Sequence, residues 1–215
     1  MMESNELVRK VMRLVNEEEN DASLPLISED KRSLQATILE LLPQAVSIVR
    51  KNSPGAHVNV KAASFAGNSL YSSGTSAVSL PLPDDYASLV SVRLSSWNMP
   101  CVRVALPGSV EALVHGNRDN LMVSARPLCV EGVAWNGAKV LELSPAMEND
   151  TLSHLVYEAH FDASEGLNGS DAGVPDAVAY ACAALLYNVF ERYDAAKSFM
   201  SFALAQCGRN DSANQ

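Results

Sequence analysis

The chain has 215 residues, 47% hydrophobic and 19% charged, which suits one domain or a compact domain with an appendage and excludes global disorder. Its 25 acidic residues against 16 basic ones leave a formal net charge of −9, which argues against gripping nucleic-acid phosphates. The same charge suits a surface that DNA slides past without sticking.

Cys101, Cys129, Cys182 and Cys207 have no CxxC spacing and read as reduced thiols of a cytosolic protein rather than a disulfide frame. No apolar run approaches the ~18 residues of a membrane span, so no membrane partner is expected. Arg9, Lys10 and Arg13 interrupt any signal-peptide core.

In chain order, Leu7, Val8, Val11, Met12, Leu14 and Val15 predict a helix over residues 5–18, capped by Ser4 or Asn5. Residues 16–21 lose that period and read as a polar connector. Ser28 then opens a longer helix, with Glu29 and Asp30 at its positive end and a stripe of Leu34, Ile38, Leu41, Leu42, Ala45, Ile48 and Val49. Pro43 falls inside the stripe and is expected to kink the helix without ending it; Ser53-Pro54-Gly55 ends it.

Residues 62–77 are rich in Ala, Ser, Gly and Asn and read as a long irregular arm. The stretch 80–100 is organised differently. Its prolines and aspartates predict a rigid corner, followed by a strand with Val90, Val92 and Leu94 on one face and Ser91, Arg93 and Ser95 on the other. Trp97 and Met99 continue that strand's edge, Pro100 stops it, and residues 101–106 are a companion. A short helix is expected over 110–114, then a hairpin of 128–135 and 138–143 joined by Asn136-Gly137 in a type I′ turn. Residues 152–161 form another strand, with Leu155, Tyr157, Ala159 and Phe161 on one face, and 162–173 a mobile linker. Pro175 opens a nearly all-apolar buried helix to Phe190, and Asp194 caps a last helix to Gln206.

Two helices, five or six antiparallel strands and two helices indicate an α+β fold. Residues 1–56 and 174–207 form a helical bundle, 57–173 a β-rich sheet or sandwich insertion with long loops, and 208–215 a flexible tail.

Candidate chemistry is sparse. His154, Glu158 and His160 share a strand face, but i to i+6 spans ~20 Å at ~3.3 Å per residue, too far for one metal ion. Cys182 lies in an alanine-rich buried helix, where a thiol behaves as a small hydrophobe. Asp84-Asp85 after proline reads as turn chemistry rather than paired acids. No Gly-rich phosphate loop is present, so no catalytic, cofactor or metal site is assigned.

From Leu82 the corner reads Leu-Pro-Asp-Asp-Tyr-x-x-Leu-Val-Ser-Val-Arg-Leu-Ser-Ser-Trp. With Glu6-Leu-Val-Arg, Leu41-Leu-Pro-Gln-Ala-Val and Asp176-Ala-Val-Ala-Tyr-Ala, in that chain order, it resembles tailed-phage head–tail connector proteins, closest to the virion ring proteins of crAss-like phages. The resemblance implies a non-enzymatic virion subunit made in the bacterial host cytoplasm. It further implies a homo-oligomeric ring, twelvefold in form, between the portal or a neighbouring ring and the tail, with double-stranded DNA passing unbound through the lumen. Residues 17–21, Asp84 with Asp85, or 148–150 are then expected to supply acidic lumen surface. Residues 62–77 and 162–173 would order on partner binding. The alternatives are a tail-tube or tail-terminator protein, a small α+β hydrolase or ligand-binding protein, and a DNA-binding virion protein.

Overall fold

The computed structural model describes residues 2–19, 28–53, 57–63, 70–72, 77–106, 108–116, 126–134, 136–168 and 173–209. The fold is α+β, and the chain divides into two compact units, Met1–Asn59 with His160–Gln215, and Val60–Ala159. Asn20 and Asp21, Pro54 and Gly55, Trp135 and the 210–215 tail carry sequence expectations but lie outside the described residues, as do 64–69, 73–76 and 169–172.

In the helical unit, α1 (Ser4–Glu19) buries Leu7, Val8, Val11 and Val15, one stripe at helical spacing. Ser4 does not cap it. The helix starts on the Glu3 carbonyl, which accepts from Glu6 and Leu7 N–H, and the Ser4 hydroxyl donates instead to Ala163 O at 2.7 Å. α2 (Ser28–Asn52) buries Leu34, Ile38, Leu42, Ala45, Val46 and Val49. It runs through Pro43, which is exposed and lacks the N–H that would bond to the preceding turn.

Helix α4 (Val174–Val189) is the hub, packing on α1, α2 and α5 (Tyr193–Arg209). Hence the near-continuous apolar run from Ala177 to Ala184: a helix touched from several sides has little polar face to keep. Its end is a Schellman-type stop, with Arg192 N–H donating to Tyr187 O at 2.9 Å and Glu191 at φ 59° in the position glycine usually takes. Asp194 lies inside the first turn of α5 rather than at its cap, and α5 extends to Arg209, into the expected tail.

The linker expected over 162–173 is anchored in its described part. Met2 and Leu167 exchange backbone hydrogen bonds at 2.8 Å, and Leu167 is buried in the helical core. Gly166 has φ +75°, and a Cβ there would meet Met2 O at 2.6 Å, so this close approach requires glycine. Phe161, expected on a strand face, packs on the helical core instead.

The β-rich unit holds two sheets. One has the order β1 (Val60–Ala63), β8 (Leu152–Ala159), β4 (Tyr86–Leu94), all antiparallel. The other has the order β2 (Tyr71–Ser72), β3 (Val78–Pro81), β7 (Lys139–Ser144), β6 (Leu128–Val133), β5 (Val104–Ala105). The described residues thus hold eight strands, more than expected, and β5 pairs with β6 in parallel. Residues 62–77 are not one uninterrupted loop, since β1 and β2 fall within or beside them. Helix α3 (Val110–Gly116) forms where expected.

Three details of the corner strand change. β4 is bulged between Leu89 and Ser91, so Val90 leaves the core face and Tyr86, Val92 and Leu94 line it. The strand ends at Leu94, and Trp97 turns inward, its Nε1 donating to Pro145 O at 2.7 Å, while Met99 is exposed. The companion reduces to one bridge, Cys101 to Val92, because Val104 and Ala105 join the other sheet.

The hairpin turn lies one residue earlier than a type I′ turn would place it. Gly137 N–H donates to Ala134 O, and Ala134 N–H to Ala138 O, both at 2.8 Å. With Gly137 at φ +83° this is the three-residue loop with a glycine bulge, which also matches the strand twist.

Candidate functional site

The Pro83-Asp84-Asp85-Tyr86 corner is built as a turn, with Tyr86 N–H donating to Pro83 O at 3.0 Å. Its two aspartates part company. Asp84 faces solvent, whereas Asp85 accepts from Lys61 Nζ and from Tyr157 Oη, each at 2.9 Å. Burial opposes Asp85's ionisation, but Lys61 and Tyr157 outweigh it and hold the carboxyl below its ordinary range. Lys61 and Tyr157 are register partners, so Asp85 ties the corner across two strands. Tyr86 packs tilted against Tyr157, ring centroids 5.9 Å apart, and donates to Glu131 at 2.9 Å. Burial, then the Glu131 carboxylate, pushes its phenol above the ordinary range, so it remains a donor.

The remaining sequence candidates are distributed rather than convergent. His154 sits 3.2 Å from the Ser91 hydroxyl, Glu158 is buried and accepts from the Ser88 hydroxyl, and His160 is exposed beyond the strand end. Among the described residues no group of three or more His, Cys, Asp or Glu is placed to hold a metal ion. Cys182 is fully buried in α4, its thiol directed at Ile38 O at 3.8 Å, and burial pushes it up to about 12. A thiol that keeps its proton is a poor nucleophile.

One cluster escaped the sequence reading. Cys101 and Cys129 fall in the same β-rich core, where Cys101 bridges to Val92 and its thiol donates to Arg103 O at 3.2 Å. Only the strand pairing brings them together, and no local spacing encodes it.

No protein-family model matches this chain, and no curated protein does. The surface is therefore read from its own chemistry. No helix among the described residues is long and apolar enough to cross a membrane.

Of the acidic stretches, Asp150 is committed internally. It accepts from Ser95 Oγ at 2.8 Å, Ser96 N–H at 2.9 Å, and Ser96 Oγ and Met147 N–H at 2.7 Å. Glu148 and Asp84 remain exposed. Burial opposes Asp150's ionisation, but the Met147 N–H and the Ser96 and Ser95 hydroxyls outweigh it and lower its pKa from 3.8. A depressed folded pKa contributes stability that is complete above the unfolded value and is lost as pH falls through the folded one. Asp150→Asn is therefore expected to destabilise the chain at neutral pH and to flatten the acid limb of a stability profile below about pH 4. Urea unfolding across that range checks it.

The exposed large apolar side chains form the most distinctive surface. Around α3, Leu106, Val110 and Leu113 are 75%, 74% and 65% exposed, and Val110 and Leu113 share a helix face at i, i+3. In the helical unit, Val189, Phe190, Tyr193, Phe202 and Leu204 are exposed around the end of α4 and along α5, with the ring of Tyr180 tilted against Phe202 at 5.8 Å.

Proposed function

We propose that this chain is a structural subunit of a tailed-phage head–tail connector, closing a ring with copies of itself between the portal or an adjacent ring and the tail. The observation that carries the reading is the apolar side chains held in solvent on both units, at α3 and along α5. A chain that stayed alone would bury or replace such residues, whereas a ring subunit covers them against neighbours. The distribution of Cys182, His154 and Asp85 into separate hydrogen-bonded settings supports a scaffold over a hydrolase. The net charge of −9, repeated around a ring, favours DNA passing through the lumen without retention, and Asp84 and Glu148 are the exposed acids suited to face it.

The test is assembly. Native mass spectrometry and electron microscopy of the full chain, alone and mixed with portal-bearing heads, are expected to find a symmetric ring in at least the mixture. Leu113→Glu and Phe202→Glu each place a charge on an exposed apolar site and leave the core alone; each is expected to weaken assembly at least about tenfold, ~1.4 kcal/mol. A wild-type chain that remains monomeric with such heads, or rings that form equally well with both charges present, rejects the reading.

A further inference from the structure

We propose that the aliphatic face at α3 of one copy seats on the aromatic corner between α4 and α5 of the next copy. Resting on the ring reading, this contact specifies which two faces of the subunit meet. Both are braced by their own backbone. Leu106 enters α3 through a turn in which Ser109 N–H donates to Leu106 O at 3.0 Å. The Ser109 hydroxyl then caps the helix, accepting from Ala112 N–H at 3.2 Å. Leu106, Val110 and Leu113 therefore stand in solvent on a fixed support. On the helical unit, the stop of α4 at Val189 leads into α5 at Tyr193 through a tight turn, in which Arg192 N–H donates to Tyr187 O. Val189, Phe190 and Tyr193 are 57%, 47% and 66% exposed around that corner.

The two faces match in size. An aromatic side chain offers about 150–250 Å² when fully exposed and an aliphatic one roughly 100 Å². At the observed exposures each face presents on the order of 250 Å² of apolar side chain. A standard interface takes ~800 Å² from each partner, a little over half of it apolar. Each face thus supplies more than half of the apolar area that one side of such an interface needs.

They are also unlike, one of branched aliphatic knobs and one of flat rings. A twofold contact would pair one face with itself and leave the other wet. A head-to-tail contact covers both with a single interface and, repeated, closes a ring. Copies with a net charge of −9 repel one another, so their contact has to be apolar at the centre, with opposite charges at its rim. Lys197 stands one turn from Tyr193 on the same side of α5, and Glu111 flanks Val110 on α3; both are exposed. Phe202 lies about 180° around α5 from Tyr193 and is left to a different neighbour.

Two blocked chains test the pairing. Leu113→Glu spoils the α3 face and keeps the corner, whereas Tyr193→Glu does the reverse; circular dichroism checks that both fold. The full chains are compared by analytical ultracentrifugation, each alone and in equal mixture, with no other component present. Each alone is expected to associate at least about tenfold more weakly than the parent chain, while the mixture forms a 1:1 dimer that grows no further. Val110→Glu mixed with Val189→Glu is expected to repeat the result. A dimer of either blocked chain alone, which would mark a twofold contact, or a mixture that stays monomeric, overturns the proposal. The connector reading fails separately. A dimerising mixture beside a parent chain that makes only open chains with portal-bearing heads keeps this contact and rejects the ring; a monomeric mixture beside closed rings on heads does the opposite.

Discussion

Trp97→Ala is expected to cost about 4 kcal/mol, the largest effect of any single truncation in the β-rich unit. Trp97 is 4% exposed, sits where β4 ends, and buries its ring in the core formed with Leu94, Leu141 and Leu155. Its backbone carbonyl also accepts from Arg93 Nε at 2.9 Å, so the turn after the strand is held at both ends of the residue. Removing the ring leaves a cavity and an unpaired Pro145 carbonyl. Trp97→Phe separates the two contributions, since it keeps most of the apolar volume and is expected to cost about 1–2 kcal/mol more than a volume-matched swap, the share of the lost Nε1–H bond. Because the substitution removes one of the chain's two tryptophans and so changes the fluorescence signal itself, circular dichroism is the probe of urea unfolding. A cost below about 1 kcal/mol for Trp97→Ala would show that the corner is peripheral to the unit.

In the helical unit the corresponding position is Tyr187. Tyr187→Ala is expected to cost about 4 kcal/mol, again by cavity formation at a site 1% exposed. Its ring stacks on Phe199 of α5 at 5.3 Å, and its hydroxyl donates to Val15 O of α1 at 3.3 Å. One side chain of α4 thereby ties three helices. Tyr187→Phe keeps the stacking and removes only a long neutral hydrogen bond, so about 1 kcal/mol is expected. Guanidinium unfolding of the two variants should give midpoints well apart. Equal midpoints would mean that the hydroxyl, not the ring, holds the helices.

The helices were legible because each buries a stripe that local spacing encodes. Leu7, Val11 and Val15 in α1, and Leu34, Ile38 and Leu42 in α2, recur at the helical period, and the apolar run of α4 announced a helix covered from several sides. The α+β class followed from the order of those patterns. Other features depend on partners far along the chain. Residues 162–168 read as a polar linker, and only Met2 pairing with Leu167 gives the segment a fixed place. Asp85 and Asp150 look like free acids until Lys61, Tyr157, Ser95 and Ser96 arrive from other segments.

Periodicity along the chain, then, was sufficient to establish where the helices lie, which of their faces are buried, and that strands sit between them. Register across strands was decided only by the fold. It moved Val90 out of the core, split the strands into two sheets, and brought Cys101 and Cys129 into one core. A helix satisfies its own backbone within four residues, so its pattern is written locally; a strand borrows its hydrogen bonds from distant segments, so its neighbours are known only when the chain has folded.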